Sequence, residues 1–106
     1  MTGLDSDAVL ERALEVSQEV LAAADQANLH SVAVLDAERL RLLQSLRSRR
    51  ETLSASDRAV LGRIAELNDR AIGLMEHHRR SKARELDMAA VGRRAVVAYS
   101  NTRQHR

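Results

Sequence analysis

Proline, cysteine, tryptophan and phenylalanine are absent from this chain, glycine occurs four times, and Tyr99 is its single Phe/Trp/Tyr-type ring. Without cysteine there is no disulfide, no thiolate nucleophile and no sulfur ligand for a metal, and a reducing compartment is permitted. No stretch approaches the ~18 apolar residues of a membrane span. The opening MTGLDSDAVLER is acidic, with neither a basic n-region nor a long apolar h-region. It does not read as a signal peptide, and the cytoplasm is the expected location. A core built without large rings is made of Leu, Val, Ile and Ala, which pack smoothly but supply few large interface anchors.

What the chain does contain is Leu, Ala, Arg and Glu in abundance, with no Val-rich alternation of period two. That composition and the sparse punctuation predict an all-α protein. At 106 residues one domain with a modest core and marginal stability is expected. Charge is unevenly placed. Residues 1–76 carry 9 Arg/Lys and 13 Asp/Glu, whereas residues 77–106 carry 8 and 2, so an acidic body is joined to a basic end.

Helix 1 is predicted over about 5–25, capped by Asp5 or Ser6 and favoured at its positive end by Asp7. Val9, Leu10, Ala13, Leu14, Ser17, Val20, Leu21 and Ala24 recur at helical spacing as one apolar stripe. Asp7, Glu11, Glu15 and Glu19 form a second, acidic stripe. Like charges four apart oppose each other by a few tenths of a kcal/mol, so this ridge reads as a solvated face or as a partner for basic side chains elsewhere. DQANLHS at 25–31 is the first break, with Asn28 or Asp25 as the next cap. Neither Gly nor Pro marks it, and one continuous helix is the alternative. Helix 2 is predicted over about 29–49, with Leu29, Val32, Leu35, Leu40, Leu43 and Leu46 as its apolar face and Leu42 beside it. RSRRETLSAS then reads as a loop.

Helix 3 is predicted to start at Ser54 or Ser56, and Ser54 with Asp57 three residues on resembles a capping box. Val60, Leu61, Ile64, Leu67, Ala71, Ile72, Leu74 and Met75 make a strong stripe, which fades in HHRRSKARE. High helix propensity carries the helix to about residue 91, with Gly92 as a C′ glycine. A helix of that length is ~55 Å against ~30 Å for helix 1. Its far end therefore overhangs the bundle or is covered by a partner. Met88, Val91, Val96, Val97 and Tyr99 form a last apolar cluster around Gly92. It reaches into a C-terminal segment 93–106 that either folds back to complete the core or serves a partner helix. The expected fold is an antiparallel three-helix bundle or hairpin with a long third helix and a short C-terminal helical segment.

Catalysis finds little in this sequence. Glu76-His77-His78 is the one dense titratable cluster. Adjacent helical histidines point about 100° apart and lack the i, i+4 spacing that presents two ligands to one metal. His30 and His105 lie far away in sequence. No phosphate-cradling glycine loop occurs. No cofactor, metal or catalytic residue is expected. Arg79, Arg80, Lys82, Arg84, Arg93, Arg94, Arg103 and Arg106 suit phosphates, but no aromatics are interleaved for stacking. A basic-ended nucleic-acid binder is thus the second reading. A coiled-coil adaptor that self-associates, as a homodimer, is the third.

The first reading comes from a resemblance. LERALEVSQEVLAAADQAN, then SVAVLDAERLRLLQSL, then VLGRIAELNDRAIGLMEHHR and a closing GRRAVVAYSN follow an order that resembles the FliT-type flagellar export chaperones. The resemblance implies a small cytoplasmic helical chaperone that holds the filament-cap protein before type III export and contacts the export ATPase complex or export gate. It places the client helix in a groove on helices 2 and 3, with Ile64, Leu67, Ala71, Leu74, Met75, Val91, Val96, Val97 and Tyr99 as partner-binding residues. In that family a C-terminal helix can cover the partner site. Here only seven residues follow Tyr99, which weighs against such a lid. FlgN-type chaperones of hook–filament junction proteins are the near alternative.

Overall fold

The computed structural model describes residues 5–49 and 53–104. Residues 1–4 of the opening stretch, Arg50, Glu51 and Thr52 of the expected loop, and His105 and Arg106 lie outside the described residues. Three helices account for nearly all the rest: α1 (Ser6–Asp25), α2 (Leu29–Arg47) and α3 (Ala55–Gln104), with no strand among the described residues. The chain divides into two compact units, Met1–Met75 and Glu76–Arg106.

Side chains written into the local sequence fix each helix start. Asp5 caps α1, its carboxylate accepting from the Ala8 amide at 2.7 Å. Asn28 caps α2 through the Ser31 amide at 3.2 Å. At the head of α3 the expected box is present: the Asp57 amide donates to Ser54 Oγ at 3.0 Å and the Ser54 amide donates to Asp57 Oδ2 at 3.1 Å. Each such cap satisfies amides that have no partner within the helix.

The α1–α2 break is a Schellman turn made without glycine. The Asn28 amide donates to the Ala23 carbonyl at 2.9 Å and the Ala27 amide to the Ala24 carbonyl at 3.0 Å, which is the 6→1 and 5→2 pairing of that motif. It requires a left-handed residue at C′, and Ala27 supplies it at φ 56°. A Cβ in that region costs about 1 kcal/mol or more, an expense met by the packing of α1 on α2.

Packing in the first unit falls into two clusters. Leu10, Ala13 and Ile64 are buried together, and Leu14, Leu42, Leu43, Leu46, Val60 and Leu61 pack around them. Val16, Val20, Ala24 and Ala71 form the second, flanked by Leu21, Val32, Leu35, Leu42, Leu74 and Met75. The beginning of α1 thus meets the beginning of α3 and the end of α2. Small residues at Ala13, Ala24 and Ala71 let the backbones approach closely. Ser17 is buried with them, and its hydroxyl donates to the Ala13 carbonyl at 2.8 Å, so its polar atom is satisfied inside the helix.

Two expectations change here. On α2, Leu29 and Leu40 are exposed, while Arg39 is buried. Arg39 lies among Val32, Leu35, Leu42 and Leu46 at helical spacing, with Nε and Nη2 donating to Asp36 Oδ1 at 3.0 and 2.6 Å. Pairing its guanidinium to Asp36 allows the long apolar stem to occupy a packing position. On α3, the helix does not stop near residue 91. Gly92 lies inside it, no described glycine has a positive φ, and residues 93–104 continue α3 rather than forming a separate short helix. One helical glycine among strong helix formers costs only about 1 kcal/mol, too little to end a helix that has no proline after it.

An added Cβ at Gly62 or Gly73 meets nothing within 4 Å. Gly62→Ala and Gly73→Ala should each stabilise the first unit by about 0.5–1 kcal/mol. Ala27→Gly, the opposite exchange, should also stabilise it, because it relieves the left-handed alanine. Urea midpoints test all three, and a lower midpoint for Ala27→Gly would contradict the turn geometry.

Candidate functional site

The acidic stripe of α1 is not a uniform solvated face. Arg12 draws on it, with Nη1 3.2 Å from Glu15 Oε2 and 3.8 Å from Glu19 Oε1. Its Nε and Nη2 also donate to Glu38 Oε1 at 3.1 and 2.9 Å, which ties α1 to α2. The hydrogen bonds it donates to Glu38 and then to Glu15 raise the guanidinium further above its ordinary value. At the head of the same stripe Asp7 faces Asp57. The Asp7 carboxyl is raised above its usual range, first by a hydrogen bond with Asp57 and then by that group's charge. The Asp57 carboxyl is lowered, chiefly by the Ser54 amide.

The sign for Asp7 follows from its raised folded value. Its stabilising contribution is present below the unfolded carboxylate range and is lost as pH rises through the raised value, leaving two opposed charges near neutrality. Asp57 contributes in the opposite sense: its stabilisation is present above the carboxylate range and is lost on acidification. Asp7→Asn should therefore be more stable than the parent near neutral pH. That gain should shrink as pH falls through the acid range. Urea midpoints of the two proteins across that window check this, and a gain independent of pH would rule out the Asp7–Asp57 contact as its source.

The sequence-derived partner-binding residues separate into two groups. Ile64, Leu67 and Ala71 are buried in the first unit, so its own core occupies them. Leu74 and Met75 are half-buried against the Val16–Val20–Ala24–Ala71 cluster. Val91, Val96, Val97 and Tyr99 are exposed in the second unit, together with Leu86 and Met88. Exposure there reaches 75% for Met88, 66% for Val96 and 65% for Tyr99. Tyr99 and its valines therefore do not complete a core. In the first unit Leu29, Val34, Leu40 and Ile72 are the exposed large apolar side chains. Periodicity places Leu29, Leu40 and Ile72 on the apolar stripes, and their exposure corrects that expectation, whereas Val34 belongs to no stripe.

The second unit is basic as well as apolar, with 8 Arg/Lys and 3 Asp/Glu in residues 76–106. Among the described residues, Lys82 reaches Glu85 at 4.0 Å, while Arg79, Arg80, Arg84, Arg93 and Arg94 are paired with no carboxylate. Ala90, Arg93, Arg94, Val97, Ala98 and Asn101 line an open notch along this stretch of helix. The His77 and His78 rings lie 5.8 Å apart, and His78 Nε2 is enclosed with no hydrogen-bond partner among the described residues. Among those residues no three His, Cys, Asp or Glu are grouped to hold a metal ion, and no helix is long and apolar enough to cross a membrane.

Fold and surface together define a class: a three-helix protein whose third helix carries an exposed apolar and basic stretch. Neither a protein-family model, nor a curated protein, nor a solved structure matches the chain.

Proposed function

We propose that this protein is a helix-binding chaperone or adaptor rather than an enzyme, working through exposed apolar surface instead of chemistry. One observation carries the reading: Leu86, Met88, Val91, Val96, Val97 and Tyr99 are all exposed on a single unit of 31 residues. Isolated exposed apolar residues are ordinary, but a concentration of this kind marks interaction surface. An amphipathic helix is the natural occupant of the side that Met88, Val96 and Tyr99 share.

Within that class we favour the FliT-type export chaperone. The client is then the filament-cap protein before type III secretion in the cytoplasm, and the export ATPase complex or export gate are further partners. The order of the sequence segments supports it, as does a first unit whose clusters suit an antiparallel bundle. FlgN-type service to hook–filament junction proteins is the neighbouring version. Nucleic-acid binding has the unpaired arginines in its favour and the lack of stacking rings against it.

Co-purification of the full chain with the cap protein's C-terminal segment is the test, and no complex at tens of micromolar would remove the flagellar reading. The informative substitutions lie in the second unit. Val96→Ala with Tyr99→Ala should weaken the complex and leave the thermal midpoint unchanged. Leu74→Ala with Met75→Ala should lower both, since these side chains also pack on the core cluster.

A further inference from the structure

We infer that a second copy of this chain docks along the outward face of α2, antiparallel to it, across a two-fold axis near Leu35. The face belongs to the first unit and differs from the rest of its surface. Among the exposed residues of α2 from Leu29 to Gln44, Arg41 is the only Arg, Lys, Asp or Glu. The exposed residues of α1, by contrast, include Asp7, Glu11, Glu15, Glu19 and Asp25. At about 100° per residue, Leu29, Ala33, Ala37 and Leu40 fall within an arc of about 80°. All four are exposed, Leu29 by 62% and Leu40 by 47%. The stripe reads large, small, small, large, and its ends carry opposite charge. Asp25 closes α1 just before the Leu29 end, while Arg41 and Arg47 lie at the Leu40 end. None of these three makes an ion pair among the described residues. Asp25 also occupies the last turn of α1, where a negative charge works against that helix's own dipole.

The complement of an acid, an apolar stripe and two cations, in that order, is the same order reversed. A second α2 running the other way supplies it. With the axis near Leu35, Ala33 of one copy meets Ala37 of the other, and Leu40 meets His30 beside Leu29. Asp25 then falls opposite Ser45, between Arg41 and Arg47 along the partner helix. Each of these contacts occurs twice, as in any isologous dimer. Alanines at the centre let the two helix axes approach to about 8 Å, the close end of helix packing. Parallel pairing would instead set Asp25 against Asp25 and Arg41 against Arg41. A client helix of uniform charge complements one end of the stripe and opposes the other. An anionic membrane surface would attract Arg41 and Arg47 but repel Asp25 and the acidic stripe of α1. The run from Leu29 to Arg41 is about 18 Å long. Such a contact lies at the small end of specific interfaces, and its dissociation constant should be on the order of 10–100 μM.

The inference does not depend on the chaperone reading. Sedimentation equilibrium of the full chain, at concentrations spanning that range, should show monomer and dimer in exchange. Asp25→Arg alone, and Arg41→Glu with Arg47→Glu, should each raise the dissociation constant about tenfold or more. Mixed in equal amounts, these two variants should pair at least as tightly as the parent, because both ends of the mixed dimer are again complementary in sign. Ala33→Arg with Ala37→Arg should abolish the dimer by bringing four cations to its centre. Both alanines are exposed, and unchanged melts followed by circular dichroism would show that these variants fold. Since the chain has no cysteine, Ala33→Cys mixed with Ala37→Cys reports direction: the disulfide should join the two variants rather than two copies of either. A chain that stays monomeric throughout the range would overturn the proposal. So would a dimer unmoved by Ala33→Arg with Ala37→Arg, or a mixed pair no tighter than either charge variant alone. Loss of the dimer in Val96→Ala with Tyr99→Ala would place the contact on α3 and overturn it equally.

Discussion

Leu10→Ala is expected to take away much of the stability of the first unit. Leu10 is 2% exposed and joins Ala13 and Ile64 at the centre of a cluster to which all three helices contribute. Truncation at such a site loses the transfer energy of the removed carbons and leaves a cavity, about 2–5 kcal/mol in total. A domain of this size has roughly 5–15 kcal/mol to lose. The loss should lie at the upper end. The neighbour Ala13 is short, and α-helical backbones already in close contact cannot collapse further into the space. Thermal melts followed at 222 nm read the effect. Leu86→Ala serves as the comparison, since Leu86 is exposed in the second unit and its truncation should leave the midpoint unchanged. Similar losses from both would mean that Leu86 is covered in solution.

The second large effect is expected in amide hydrogen exchange. Amides of α1 should exchange through openings close to global unfolding, because its apolar face is buried along its whole length. From Lys82 to Thr102 every described side chain except Ala90 is exposed. Helical hydrogen bonds there are held by local propensity, which leaves an isolated helix marginal in water. Gly92 and the β-branched Val91, Val96 and Val97 lower that propensity further. Exchange over 82–102 should therefore outpace α1 by on the order of a thousandfold or more. Addition of a partner helix should slow exchange in 82–102 and leave α1 unaffected. Equal protection in both regions of the free protein at low concentration would contradict the exposure of this unit. Protection that grows with protein concentration would instead reveal self-association.

These two expectations bear on the same division of labour. The first unit is stabilised by its two buried clusters, with Leu29, Val34, Leu40 and Ile72 left exposed. The second keeps Leu86, Met88, Val91, Val96, Val97 and Tyr99 exposed, an arrangement that adds little to folding and suits the proposed interaction surface. The charge is uneven as well: residues 76–106 carry 8 Arg/Lys and 3 Asp/Glu, a positive balance that would favour encounter with an acidic partner.

Much of this was legible in the sequence because it is local. Absence of proline, strong helix formers and period-3.6 stripes determined an all-helical chain, while the break at 25–31 and the course of the helix past Gly92 stayed open. The helix starts were narrowed to two caps each, Asp5 or Ser6, Asn28 or Asp25, and Ser54 or Ser56, since a cap acts within three residues of itself; Asp5, Asn28 and Ser54 are the ones used. The α1 and α3 core stripes through Val9, Leu10, Val20, Ile64 and Ala71 followed from spacing alone. What tertiary structure decided is whatever depends on a neighbour. Ala27 adopts a left-handed turn because α1 and α2 pack, not because alanine favours it. Arg39 displaces Leu40 from the packing face because Asp36 neutralises its head group one turn away. Ile64, Leu67 and Ala71 proved to be core and Val96 and Tyr99 surface, although both sets lie on one helix with similar apolar spacing. Periodicity reports that a face is apolar. Which side chains cover that face is a matter of packing between helices, and no spacing within one helix encodes it.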